Sequence, residues 1–237
     1  MAGERLLVVK LDGGGTMVIA AEQVGSTLVA DTSVVAKLSN ITADIAKRFG
    51  VKSRILPMSD DRVRTFVKLR GRDAIPFQEY FVKGRARGFV EKIELRGIED
   101  ARPLPSALDA IRKSAAVILA PSNPFVSLGP IFGLRGVREA LASARDRVVA
   151  ISPIVGGKTI KGPADKMLRG LGLEVSALGI ARLYKDIVGT FVLDKVDLNY
   201  IGAICDLGMR ALAADTIMTT PAKAARLARI VLDSLTV

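Results

Sequence analysis

The second half of the chain alternates short, continuous apolar runs with stretches whose apolar residues recur every three or four positions. The runs at 115–119, 147–151, 190–193 and 210–213 read as strands. A strand buried on both faces loses the polar alternation of a half-exposed one, so these runs predict a parallel sheet covered on both sides. The closing stretch reads as a helix, with Ala224, Leu227, Ala228, Val231 and Leu235 on one face and Lys223, Arg226, Arg229 and Asp233 opposite. Strands and helices in this order predict an α/β fold, a doubly wound (Rossmann-like), mostly parallel sheet.

The first half is patterned differently. Runs at 62–69 and 89–95 alternate polar and apolar positions and are joined by turns rich in Gly, Arg and Lys. They predict a small inserted α/β cap over about 62–103. Ahead of it lies a helix with Ser39 as N-cap, Ile41, Ile45 and Phe49 on one face, and Gly50 as its stop. Residues 6–11 and 16–21 flank Asp12-Gly13-Gly14-Gly15 and read as a β-hairpin. The alternative is a strand, phosphate loop and helix, but Thr16-Met17-Val18-Ile19 is β-branched and apolar, a poor helix opening. The expected organisation is one α/β domain over 1–237 with a cap and an atypical N-terminal segment at 1–37.

Composition narrows the chemistry. The 237 residues contain no histidine, which removes His-based acid–base catalysis, Ser-His-Asp triads and His-ligated zinc. The single cysteine, Cys205, allows no internal disulfide and fits a reducing compartment. It lies in an apolar helical stretch with Ile201 and Ile204, where burial is expected. No apolar run reaches the length of a membrane span and no leader pattern opens the chain, so a cytoplasmic protein is expected. A net charge of +11 favours anionic partners. The basic residues form no block and are not interleaved with aromatics, so phosphorylated small molecules fit better than nucleic acid.

In open parallel sheets, ligands bind beyond the carboxyl ends of the strands, and the predicted strands run there into unusual loops. Pro121-Ser122-Asn123-Pro124 is a rigid turn that could present Ser122 and Asn123 to a nucleotide, with Gly129 letting backbone approach closely. Gly156-Gly157-Lys158 and Lys161 combine freed main-chain N–H groups with point charges suited to phosphate; a solvated surface loop is the plainer reading. The paired Asp60 and Asp61 are candidates for catalysis or for a magnesium ion (Mg2+), against the commoner role of capping a turn or helix. Asp194 and Asp215 share the same sheet edge and are the weaker metal candidates, since a strand-end Asp is often a structural cap. Tyr80 and Tyr184 read as packing residues.

The strings RFGVKSRILPMSDDRVRT, FQEYFV, ILAPSNPFVSLGPI, GVREAL, VVAISPIVGGKTIKGPADKML, GLEVSALGIARLYKDI and ADTIMTT, in this order, resemble the CofD-type 2-phospho-L-lactate transferases from about Leu38 onward. The resemblance implies transfer of a phospholactate or phosphoenolpyruvate unit from a guanosine-diphosphate-linked donor to the deazaflavin Fo. GMP is released and magnesium is required, in biosynthesis of coenzyme F-420. It also implies that Ser122 and Asn123 face the nucleotide and that the 156–161 loop lies near the same crevice. The family's early glycine-rich loop, its aspartate strings for metal and deazaflavin, and its Gly-Asp-Arg-Asp string have no counterpart in residues 1–37. The expectation is therefore a site lacking the first sheet strands and the metal carboxylates. A non-catalytic nucleotide or nucleotide-sugar binder, related to the gluconeogenesis-factor proteins, is the alternative. An incomplete sheet edge also leaves room for a homodimer.

Overall fold

The computed structural model describes residues 5–10, 16–21 and 37–235. In chain order these form β1 (Arg5–Lys10), β2 (Thr16–Ala21), α1 (Leu38–Arg48), β3 (Ile55–Pro57), β4 (Arg64–Leu69) and β5 (Ala74–Pro76), then a π-helical turn (Glu79–Lys83) and β6 (Val90–Arg96). There follow α2 (Pro105–Lys113), β7 (Val117–Leu119), α3 (Leu128–Phe132), α4 (Val137–Ser143), β8 (Val148–Ile151), β9 (Ile154–Val155) and β10 (Lys158–Thr159). The last elements are α5 (Ala164–Gly170), α6 (Ala177–Tyr184), β11 (Thr190–Asp194), α7 (Ile201–Cys205), β12 (Arg210–Ala214) and α8 (Pro221–Asp233).

The main sheet has the order β12-β11-β8-β7-β2-β1-β3. From β12 to β2 every neighbouring pair is parallel, whereas β1 runs antiparallel to both β2 and β3. The four apolar runs of the second half are thus the strands β7, β8, β11 and β12. Alternate residues of each strand serve opposite faces. Val117, Leu119, Val148, Ala150, Phe191 and Leu193 pack on one side with residues of α2 through α7. Ile118, Val149, Ile151, Val192 and Ala214 pack on the other against Leu227 and Val231 of α8. Around β7, β8 and β11 both faces are dry, which is why these strands read as unbroken apolar runs; β12, at the sheet edge, is only partly buried.

Two expectations for the N-terminal part need correction. Strands β1 and β2 pair as a hairpin and β2 joins the main sheet beside β7, so sheet strands do precede α1. The predicted glycine turn at 12–15, and the alternative phosphate loop there, lie outside the described residues. Ser39 is not the N-cap of α1: Lys37 occupies that position, and Ser39 donates from its N–H and Oγ to the Asp60 carboxylate at 2.7 and 3.0 Å.

Strands β5, β4 and β6 form a separate antiparallel sheet. Its core consists of Val67, Leu69, Phe77, Tyr80, Ala86 and Val90, completed by Val126 and Met167 from the body of the molecule. Burial of these last two at 2% and 0% seats the small sheet on the loop before α3 and on α5. At Gly170 the contact is backbone on backbone, because a Cβ there would stand 2.3 Å from the Val90 carbonyl oxygen.

Candidate active site

A cleft of about 560 Å³ opens beyond the carboxyl ends of β7, β8 and β12, within the range of small-molecule pockets. One wall is the loop after β7, with Pro121, Ser122 and Asn123. A second is the loop after β8, with Ser152, Pro153, Thr159, Lys161 and Pro163. Thr216, Ile217 and Met218 after β12 form a third, and Phe77 and Phe81 of the small sheet close the fourth side.

The β7 loop is held by its own polar groups. Asn123 Oδ1 accepts from the N–H groups of Phe125 and Val126 at 2.9 and 3.2 Å, and its Nδ2 lies 3.3 Å from Met167 Sδ. The Asn123 carbonyl accepts from Ser127 and Leu128 N–H at 3.2 and 3.0 Å. Asn123 therefore shapes the wall with both ends of its amide, and Ser122 is the residue beside it that faces the cleft. Gly129 lies behind in α3, where a Cβ would stand 3.1 Å from the Pro124 carbonyl oxygen; it does not line the cleft.

The β8 loop is a small hairpin, β9 pairing with β10. Gly156 and Gly157 both have positive φ, +56° and +74°, the conformation a two-residue hairpin turn demands. Of the two sequence readings, phosphate-facing N–H groups or a solvated surface loop, the first is not met at Gly156, whose N–H donates to the Asp197 carboxylate at 3.0 and 3.2 Å. Gly156, Gly157 and Lys158 sit at the hairpin tip, off the cleft lining, while Lys161 stands exposed at the rim.

The candidate carboxylates are scattered. Asp60 receives Ser39 at the start of α1, and Asp61 accepts from the Arg102 N–H at 2.7 Å, so each ties loops together. Asp194 is buried and accepts from the Thr216 N–H and hydroxyl, both at 2.9 Å, and from the Val196 N–H at 3.1 Å. It thereby anchors the third wall from beneath. Asp215 pairs with Lys223 at 3.2 Å, and the Lys223 ammonium holds its carboxyl below the usual range. None of the four lines the cleft. Among the described residues no three acidic, cysteine or histidine side chains gather where they could hold a metal ion. The resemblance implies magnesium, and none of these four candidate carboxylates is placed to meet it inside the cleft.

Sequence reasoning does not single out Phe77, Phe81, Met58 or Met218 as site residues. Phe77 and Phe81 stack at 5.6 Å between centroids and 8° between planes. The four-residue spacing that aligns them was visible, but nothing in it pointed to a cleft rather than a core. Cys205 is exposed rather than buried. Helix α7 is a single short turn that presents Ile204 inward, and the next position is rotated away from the core. Tyr80 and Tyr184 are buried, as packing residues should be.

A family model described as 2-phospho-L-lactate transferase CofD matches residues 6–208. The chain belongs to the CofD family. The match begins well before Leu38, where the resembling strings begin. Among its relatives is the 2-phospho-L-lactate transferase of Methanosarcina mazei, 38% identical over 199 residues, which cover 84% of this chain and 65% of the relative. Another is the phosphoenolpyruvate transferase of Kitasatospora aureofaciens, 38% identical over 199 residues, covering 82% and 62%. The chain thus spans a little under two thirds of the length of these curated relatives. Of solved structures, a UPF0052-family protein from Bacillus halodurans superposes with a TM-score of 0.57 at 17% identity, covering 82% of this chain and 66% of that one. That likeness supports the doubly wound α/β fold. No helix among the described residues is long and apolar enough to cross a membrane.

Proposed function

We propose that this CofD-family chain takes part in transfer of a phospholactate or phosphoenolpyruvate unit from a guanosine-diphosphate-linked donor to the terminal hydroxyl of the deazaflavin Fo. The observation that carries the reading is the cleft itself. All four of its walls come from strings that resemble the family, and three lie at the sheet edge where α/β proteins bind nucleotides. In this reading Ser122 offers a hydroxyl to the donor and Asn123 fixes the turn that aims it. Lys161 supplies positive charge at the rim for the diphosphate. The hairpin of Gly156, Gly157 and Lys158 sets the position of the Lys161 loop. Phe77 and Phe81 offer the apolar side to a planar ring.

The chemistry asked of the site is attack by a primary alcohol oxygen on phosphorus. The new P–O bond forms as the bond to GMP breaks, and the hydroxyl proton leaves with the departing or surrounding oxygens. Such transfers draw on positioning and charge neutralisation, which a site without histidine can supply. A second reading has a specific observation behind it. Among the described residues the cleft lining contains no carboxylate, which suits a protein that holds a nucleotide without turning it over.

Incubating the purified chain with Fo, magnesium and the guanosine-linked donor, beside a full-length relative as control, separates the two. A mass-spectrometric product of Fo carrying the new phosphodiester supports transfer. No product with the control active rejects it and leaves the binding reading.

A further inference from the structure

Helix α5 touches both halves of the cleft through adjacent residues. On one side, Thr159 Oγ1 lies 2.6 Å from Asp165 Oδ1 and 3.1 Å from the Gly162 carbonyl oxygen. This ties the hairpin and the Lys161 loop to the first turn of the helix. On the other side, Lys166 Nζ donates to the Ala86 carbonyl at 3.2 Å, and the buried Tyr80 hydroxyl donates to the same oxygen at 3.3 Å.

The segment received by Lys166 is an unusual piece of backbone. Glu79–Lys83 is a π-helical turn, closed by the Gly84 N–H on the Glu79 carbonyl at 2.8 Å. π-turns are rare and concentrate at functional positions. Arg85 and Ala86 follow with φ of +49° and +51°, a left-handed pair with no glycine. Non-glycine residues persist there only where their surroundings over-determine them. Here those surroundings are Tyr80, Lys166 and the close approach of Gly84 to Tyr80, where a Cβ would stand 2.6 Å from the Tyr80 carbonyl oxygen. The same π-turn carries Phe81 into the cleft, stacked on Phe77. Burial, with the nearby Asp165 charge adding to it, holds the Tyr80 phenol protonated and able to donate.

We propose that Asp165 and Lys166 are positioning residues that make α5 a joint between the Lys161 loop and the aromatic pair Phe77–Phe81, so that loosening either wall loosens the other. The proposal rests on the cleft being the ligand site, and its test needs no turnover. Without the joint, the lysine wall and the aromatic wall would settle independently, and a ligand spanning both would have to order two surfaces instead of one.

Hydrogen–deuterium exchange on the unliganded full chain tests this, in wild type, Lys166→Met, Lys166→Arg and Thr159→Val. Lys166→Met keeps the aliphatic stem and removes the donor. It is expected to speed exchange roughly tenfold over 84–88 and, although it does not touch the hairpin, over 156–163 as well. Thr159→Val is expected to do the reverse, speeding 156–163 and also 79–88. Lys166→Arg, which can still donate to the carbonyl, should restore both segments. Amides of β8 and β11 report whether each variant keeps its fold; if Lys166→Met loses protection there, Thr159→Val decides alone. Each substitution loosening only its own wall, or neither loosening anything, overturns the joint. A separate arm adds GDP to wild type: no added protection at 121–127 counts against the functional reading, while the coupling between walls is judged on the unliganded data.

Discussion

The loops after β7 and β8 face each other across one cleft and are built in opposite ways. The β7 loop is locked from within. Prolines at 121 and 124 limit its backbone, Asn123 caps two N–H groups, and Val126 and Leu128 are buried beneath it. The β8 loop is fixed from within only at its base, where Ser152 Oγ accepts from the Ile154 N–H at 3.1 Å and donates to the Ile154 carbonyl at 2.8 Å; beyond that it is locked from without. Its tip is a Gly-Gly turn, Lys158, Ile160, Lys161 and Gly162 are exposed, and it is held by Asp197 at one point and Asp165 at another. One wall thus arrives preorganised, and the other is adaptable and depends on distant residues. Binding sites commonly gain affinity from the first kind of wall and accommodate the substrate with the second.

The contrast predicts a graded series of effects. Asn123→Ala leaves the Phe125 and Val126 N–H groups without their acceptor and should lower stability by about 2 kcal/mol, read as a shift in the denaturation midpoint. Asn123→Asp keeps the acceptor and should recover most of that loss. If both variants are equally unstable, the wall is not locked by its cap. Asp197→Ala removes only the tether of Gly156 and should cost about 1 kcal/mol, with faster amide exchange confined to the hairpin.

Gly157→Ala should cost a similar amount, about 1 kcal/mol, because φ of +74° is unfavourable for any residue with a Cβ, even with no atom closer than 3.7 Å. A neutral result would show that the tip changes conformation freely. The smallest effect belongs to Asp215→Asn, which belongs to neither loop and stands at the start of the third wall. Its exposed pair with Lys223 should leave the melting temperature nearly unchanged at neutral pH. Since the folded carboxyl titrates below its usual range, whatever it contributes is present above the unfolded pKa and is lost as pH falls through the folded one. The wild type should therefore lose its slight advantage below about pH 4.

How far the sequence revealed these walls depended on the range of the interactions that make them. Strands β7, β8 and β11 were legible because burial on both faces leaves continuous apolar runs, a purely local signature. Pro121-Ser122-Asn123-Pro124 was legible as a turn at the right sheet edge for the same reason: its lock is made by residues two and three positions away. The hairpin admits a phosphate-loop reading beside that of a solvated surface loop, because its glycines carry the same composition in both cases. What occupies the Gly156 N–H is Asp197, 41 residues on, and no local pattern shows that. Asp194 reads as a weak metal candidate against the commoner strand-end cap, and what it caps is hidden until Thr216, 22 residues away, is seen on its carboxylate. Phe77 and Phe81 were hidden differently. Their four-residue spacing is visible, but their place beside the cleft depends on a small sheet whose seat is formed by Val126 and Met167.

Calorimetric titration of GDP into the wild-type chain and into Lys161→Ala tests most directly whether this cleft is the ligand site. Lys161 is exposed at the rim, so its removal should leave stability untouched. The account predicts saturable binding to wild type and about tenfold weaker binding to Lys161→Ala, equivalent to about 1.4 kcal/mol of one charge-assisted contact. No binding by wild type, or equal affinity in the two proteins, would contradict it.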